Sequence, residues 1–324
     1  MKSLIVRLPN HLGDACMSLP ALDLLADHGV ALTLAGRAWA QELFCAYPWK
    51  VIGLPGVRSA RIRTLRAQRA AAPRERDCLL LTNSFSSALE FRLAGLRPYG
   101  YATDGRSLLL HRAIPVPEAW RADMHTVEYY RHLAACLSGQ AASSAIDRAP
   151  DPRLRLDAAA RERARLALLR AQAAPPYVVV CPVAQGRHHG QDKCWRGYAR
   201  LVEALVANGT CVVTCPGPGE HAAAAAAAPL ARTVEPLDLA AFAALLAASQ
   251  LVVANDSGPG HLAAAVGAHL ISIFGVTSPA KTLPRGANVQ RLGDEHAWPS
   301  FEQVWGAVAM NLHGARAQNS SGLP

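Results

Sequence analysis

The chain is predicted to be an α/β protein built from two doubly wound domains. Three observations carry that expectation. Short apolar runs alternate with helix-like segments through both halves, which is the rhythm of parallel βαβ units. The length, 324 residues, exceeds what one core of ordinary size uses. A Pro/Asp/Arg-rich stretch, IDRAPDPRLRLD at 146–157, interrupts the rhythm near the middle. The domains are therefore drawn as 1–152 and 153–299, with a last helix at 300–314 and a polar, frayed tail at 315–324.

In the first half, SLIVRL (3–8) reads as a buried strand and DACMSLPALDLLADHG (14–29) as a helix. VALTLAG (30–36) is the second strand, AWAQELFCAYP (38–48) a helix and KVIGLP (50–55) the third strand. An arginine-rich, partly helical segment follows. DCLLLTNS (77–84) is a strand running into a polar turn, SSALEFRLAG (86–95) a helix and RPYGYAT (97–103) a strand. In the second half, ARERARLALLRAQ (160–172) is a charged helix and PYVVVCPV (176–183) a buried strand. After the polar loop AQGRHHGQDKCW come a helix at 196–209, the strand and Gly/Pro turn TCVVTCPGPGEH (210–221), and an alanine run at 222–228. The alanine run is a helix, since alanine is the best helix former. DLAAFAALLAAS (238–249) is a helix, QLVVAND (250–256) a strand, GPGHLAAAVG (258–267) a helix and HLISIFG (269–275) a strand.

Bulk properties narrow the class. No apolar run approaches the roughly 20 residues of a membrane span. Arg7, Pro9 and Asp14 break the first apolar run, so it reads as a strand rather than a signal peptide. The eight cysteines form no C-x-x-C pair, and several sit in strand-like runs, as expected of reduced thiols in a cytoplasmic protein. The net charge of +9 points to an anionic partner. The excess concentrates between Arg58 and Arg76, where seven arginines accompany one acid, Glu75. That segment has no aromatic residue, which weighs against a nucleic-acid interface and leaves a solvated helix face or an anion site open.

Open parallel sheets bind ligands at the carboxyl ends of their strands, so the loops after strands carry the candidates. In LPNHLGD, Asp14 either caps the following helix or stands as a general base. In NDSGPGH (255–261), Gly258 and Gly260 would let a phosphate approach the unpaired amides of a helix start, and Asp256 suits sugar hydroxyls. His261 is open between a ligand contact and a packed histidine. In RHHGQDKCW (187–195), Lys193 is a mobile point charge suited to a diphosphate leaving group. His188 and His189 lack the accompanying carboxylates of a metal site, and no metal is expected.

RLPNHLGDACMSLPAL, DKCW and VVANDSGPGHLAAAVGAHLISIFGVTSP, with LLLTNSFSSALEFRLAG, GYATDGRSLLL and HTVEYYRHL, resemble the family 9 glycosyltransferases. These are the ADP-heptose:lipopolysaccharide heptosyltransferases, and the likeness is greatest to those acting second on the inner core. The resemblance covers nearly the whole chain. It implies a GT-B fold, two Rossmann-like domains facing across a cleft with a final helix crossing back to the first. It implies inverting transfer from ADP-heptose without a cofactor or catalytic metal. Asp14 matches the proposed base and Lys193 the lysine that neutralises the donor phosphates. Asp256 matches the acid that holds the heptose, and Ser257, Gly258 and His261 the phosphate-side turn. Leu237 falls near the position whose backbone reads the adenine. Arg58, Arg61, Arg63 and Arg66 correspond to an acceptor region for the carboxylates and phosphates of the lipopolysaccharide core. The loop around His188 and the proline at 259 depart from the usual family pattern.

The implied partners are ADP-heptose and a lipid-linked core acceptor, with a cytoplasmic monomer touching the inner membrane peripherally and no nucleic acid. Other readings remain. The first loop lacks the G-x-G-x-x-G of a nicotinamide-dependent dehydrogenase. A non-catalytic nucleotide-sugar-binding protein, another ADP-sugar, or a protein acceptor would use the same residues.

Overall fold

The computed structural model describes residues 2–138, 149–188 and 190–320, with 313–320 described through their backbone alone. The chain divides into two compact units, Met1–Arg155 and Leu156–Pro324.

The first unit is a parallel six-stranded sheet. Its strands are β1 (Ser3–Arg7), β2 (Ala31–Gly36), β3 (Lys50–Gly53), β4 (Asp77–Leu80), β5 (Arg97–Tyr101) and β6 (Arg112–Ile114), in the order β3-β2-β1-β4-β5-β6. Its helices are α1 (Leu12–Met17), α2 (Leu19–Asp27), α3 (Ala40–Leu43), α4 (Arg58–Ala71), α5 (Phe85–Leu93) and α6 (Thr126–Ser138), with 3-10 turns at Arg106–Leu109 and Glu118–Trp120. Right-handed crossovers put α4, α5 and the first 3-10 turn on one face of the sheet. On that face α4 packs beside α5, and α5 beside the 3-10 turn; α2 packs on α6. Ile5, Leu65, Cys78, Leu80, Phe91 and Leu96 close the core beneath α4 and α5.

The expected helix at 14–29 is two helices that begin earlier. Pro20 has no N–H to offer the carbonyl of Cys16, and its ring disfavours helical geometry in the residue before it. The chain breaks at Ser18, whose hydroxyl donates to the Ala15 carbonyl at 2.8 Å.

The second unit repeats the wiring. Its main sheet contains β7 (Tyr177–Cys181), β10 (Cys211–Thr214), β11 (Arg232–Thr233), β12 (Leu251–Asn255), β13 (Leu270–Ile273) and β14 (Val289–Leu292), in the order β11-β10-β7-β12-β13-β14 and parallel throughout. A two-stranded antiparallel ribbon, β8 (Arg187–His188) and β9 (Gln191–Asp192), stands apart in the loop after β7. Helices α7 (Ala158–Arg170), α8 (Tyr198–Ala207), α9 (His221–Ala227), α10 (Leu239–Ala247), α11 (Gly258–Ala265), α12 (Pro279–Thr282) and α13 (Phe301–Ser320) complete it. Asp157 and Asp238 accept from the Ala160 and Ala241 amides at 2.7 and 2.9 Å and so cap α7 and α10.

The resemblance implies a final helix docked on the first domain. Within the second unit, described side chains of α13 complete the core. Val304, Ala307 and Val308 recur at helical spacing and pack with Tyr198, Leu201 and Val253. The tail expected from 315 is helical as far as Ser320, and 321–324 lie outside the described residues.

Candidate active site

In a sheet of order 3-2-1-4-5-6 the chain leaves the first and fourth strands in opposite directions, opening a crevice at their carboxyl ends. Each unit has one, and each is lined by residues singled out in the sequence.

In the first unit the crevice lies between the loops after β1 and β4. Asp14 is the third residue of α1, and His11 occupies the cap position with no side-chain bond to the helix. The capping reading therefore fails in its simple form: Asp14 is inside the first turn, half-buried, where the helix dipole favours an acid. Its carboxylate Oδ1 accepts a hydrogen bond from the Tyr130 hydroxyl of α6 at 3.3 Å. Burial, followed by the charge of Asp14, pushes the Tyr130 phenol well above its usual range, so it keeps its proton and donates. The neighbouring Cys16 thiol is pushed up to about 12 by burial and by Asp14, and stays protonated.

The same edge holds two buried arginines. Arg7 ends β1 and donates to the Leu8 carbonyl and to Asn10 Oδ1, leaving its Nε–H unpaired. Burial lowers it to about 10, against the opposing pull of Glu90. Arg106 donates to the carbonyls of Tyr101 and Thr82 and to Asn83 Oδ1, and burial lowers it to about 10 as well. Asn83 in turn donates to the Tyr129 hydroxyl at 2.8 Å. Arg106 thus fixes the turn after β4, and Tyr129 and Tyr130 tie the two sides of the crevice to α6.

The four candidate arginines of the segment have different partners. Arg61 donates twice to the buried carboxylate of Glu90, at 2.9 and 2.6 Å, and Arg58 stands 3.9 Å from the same group. Arg66 donates to the Leu93 carbonyl, and Arg63 is exposed. Arg58 and Arg61 sit at the start of α4, near the carboxyl edge of the sheet, whereas Arg63 and Arg66 lie further along the helix. The expected grouping of four is split by Glu90, whose charge Arg61 already satisfies.

In the second unit the crevice lies between the loops after β7 and β12. Asp256 is buried and sees three partners. Lys193 Nζ is 3.7 Å away, His261 Nε2 is 3.9 Å away, and the Thr282 hydroxyl donates at 3.4 Å. The sequence candidates Lys193, Asp256 and His261 are therefore brought together. Asn255, fully buried, holds the arrangement: it accepts from the Trp195 amide at 3.0 Å and donates to the Pro182 carbonyl at 2.9 Å. One side chain thereby joins the loop after β7, the Lys193 segment and the end of β12.

Ser257 precedes α11 in extended geometry and turns its hydroxyl back to the Asn255 carbonyl at 3.1 Å, leaving the helix start uncapped by a side chain. Gly258 is half-exposed at that start, as an anion site requires. Gly260 is buried, and a Cβ there would stand 3.4 Å from the Asn255 carbonyl oxygen, at ordinary contact distance. Leu237 is half-buried just before the capping Asp238 of α10, and Cys215 faces its backbone.

Beside Lys193 a cleft of about 540 Å³ is lined by Gln191, Asp192, Cys194, Trp195, Arg196, Val276 and Trp298. A Cβ on Gly275 would fall 2.0 Å from the Trp298 ring, so that glycine is the seat on which the indole wall rests. Trp195, read as a packing residue, is buried and donates its indole N–H to the Pro299 carbonyl at 3.0 Å. Among the described residues no three metal-ligating side chains converge, and His189 lies outside them. No helix among them is long and apolar enough to cross a membrane.

Comparison with solved structures finds the same architecture. E. coli ADP-heptose LPS heptosyltransferase II superposes with a TM-score of 0.77 at 24% identity, covering 99% of this chain and 100% of that one. E. coli heptosyltransferase WaaC with ADP gives 0.72 at 21%, covering 96% and 100%. The fold is thus of the GT-B type. A curated relative, lipopolysaccharide heptosyltransferase 3 of E. coli, is 31% identical over 139 residues, which span 39% of this chain and only 40% of that protein. The family model for glycosyltransferase family 9 (heptosyltransferase) matches residues 62–308, most of the chain, and this protein belongs to that family.

Proposed function

We propose that the chain is an inverting transferase that moves a heptose from ADP-heptose to a sugar of the lipopolysaccharide inner core. The observation that carries the reading is the pair of crevices. One presents a carboxylate, Asp14, with its hydrogen-bond donor; the other presents a cation, Lys193, beside a buried acid and an uncapped helix start.

The first unit binds the acceptor and the second the donor. Asp14 accepts the proton of the acceptor hydroxyl as its oxygen bonds to the anomeric carbon from the face opposite the leaving group. The bond from that carbon to the diphosphate oxygen breaks, and its electron pair departs with ADP. Lys193 then exchanges its contact with Asp256 for the diphosphate, and the amides opening α11 add fixed donors to the developing charge. Asp256, freed of Lys193, holds the heptose hydroxyls, and the backbone at Leu237 reads the adenine. A lipid-linked acceptor would bring the protein to the cytoplasmic face of the inner membrane.

The test is ADP release with ADP-heptose against ADP-glucose, on defined truncated core acceptors. Asp14→Asn is expected to keep donor affinity and lower turnover by a factor of about 10²–10⁴. Near-normal turnover would remove Asp14 as the base, and donor binding without ADP release on any acceptor would make the chain a binding protein.

A further inference from the structure

The layer formed by α4, α5 and the 3-10 turn Arg106–Leu109 has an outer surface that carries none of the groups given a step in the proposed transfer. Its charge is one-sided. The three segments hold one acid between them, Glu90, and that group is buried and paired to Arg61. The exposed charges on α4 and α5 are therefore all arginine, with Arg63 and Arg66 on one helix and Arg92 on the other.

The same surface is apolar where it projects. Among the described residues nine large apolar side chains are exposed; three belong to this layer, Phe85 at 46%, Leu93 at 48% and Leu108 at 96%, and a fourth, Val57 at 66%, caps the start of α4. Single exposed leucines need no explanation, but several on one layer whose helices expose only arginine charge do. The basic and apolar groups are physically joined, since Arg66 donates through Nε and Nη2 to the carbonyl of Leu93.

We infer that this outer layer is a docking face for an anionic lipid bilayer. Leucine and valine tips enter the headgroup–acyl boundary, and the arginines meet lipid phosphates while their stems lie along the apolar surface. Nucleic acid fits less well, because projecting leucines offer nothing to a phosphate backbone and the exposed arginines of α4 have no aromatic beside them on that helix. Such a face gives weak, reversible, salt-sensitive attachment. The inference does not depend on the transferase reading, since partitioning is measured without turnover.

The test is flotation of the full chain with vesicles of phosphatidylethanolamine and phosphatidylglycerol, against phosphatidylcholine alone, at low and high salt. The wild-type chain is expected to float with the anionic vesicles only. Leu93→Ser with Leu108→Ser, both at exposed positions, is expected to weaken partitioning roughly tenfold with an unchanged circular dichroism spectrum. Arg92→Glu is expected to weaken it several-fold and flatten its salt dependence. Equal partitioning of the leucine variant, equal binding to phosphatidylcholine, or tight binding to duplex DNA in place of vesicles overturns the inference. On a water-soluble core oligosaccharide the leucine variant should turn over like wild type. A chain that floats as described but transfers to no acceptor supports the docking face and removes the transferase reading.

Discussion

Replacing Asn255 tests the architecture of the second crevice at its hub. The side chain is fully buried and links three loops, taking the Trp195 amide at 3.0 Å and giving to the Pro182 carbonyl at 2.9 Å. Asn255→Ala strips the partner from one buried N–H and one buried C=O. Each orphaned group costs about 1–3 kcal/mol, so the loss should be about 2–5 kcal/mol. With a urea dependence of ~2–3 kcal/mol per molar, the unfolding midpoint should fall by about 1–2 M. Asn255→Asp is the sharper variant. It keeps an acceptor for Trp195 but turns an anion toward the Pro182 oxygen, and the Cys181 carbonyl is only 3.5 Å from the present amide nitrogen. That carboxyl would be raised above its ordinary value of about 3.9, so the variant should lose stability as pH rises above about 4 and regain it on acidification. The assays are urea unfolding across pH and hydrogen exchange at the Trp195 amide. An unmoved midpoint in Asn255→Ala, with Trp195 still protected, would refute the hub.

Two further predictions concern α6. Tyr130→Phe removes the donor to Asp14 and should lower turnover about fivefold, the equivalent of ~1 kcal/mol, with the melting temperature unchanged. A purely structural tyrosine would lower the melting temperature and leave kcat in place. His132 lies against the Tyr101 hydroxyl at 2.8 Å, and burial lowers its pKa from the ordinary 6.5. The unfolded chain then binds the extra proton first, so this histidine's contribution to stability is full above about pH 6.5 and declines as pH falls toward its folded value. His132→Gln should flatten that part of the stability–pH curve, which thermal melts between pH 5 and 7 would show.

Much of the fold was legible because parallel strands buried on both faces are continuous apolar runs. VVVC and LVVAN became β7 and β12 within a residue or two of their expected ends. The edge strand β3 was legible, but the edge strands β6, β11 and β14 were not. RAI of β6 and VQRL of β14 have little apolar character, since one side of an edge strand faces solvent, and only the sheet shows them to be strands. The helix at 38–48 shrank to Ala40–Leu43 because Phe44, Tyr47 and Trp49 turn together into an aromatic cluster. In the candidate site, the placement of Asp14, Lys193 and Asp256 in loops after strands was legible. Their partners were not: Tyr130 reaches Asp14 across 116 residues of chain, and Glu90 takes Arg61 from another helix, pairings that no local spacing encodes.

The two sheets share one wiring diagram, and this bears on how much framework differing loops need. β1 and β7 hold the same slot, third in each strand order, and β4 and β12 hold the slot beside it. Asp14 follows the first of these strands in one unit, and Lys193 follows it in the other. A single topological position thus supports an anion in one copy of the motif and a cation in the other. An acidic and a basic side chain stand at the same place in two copies of one topology, without any new framework to hold them.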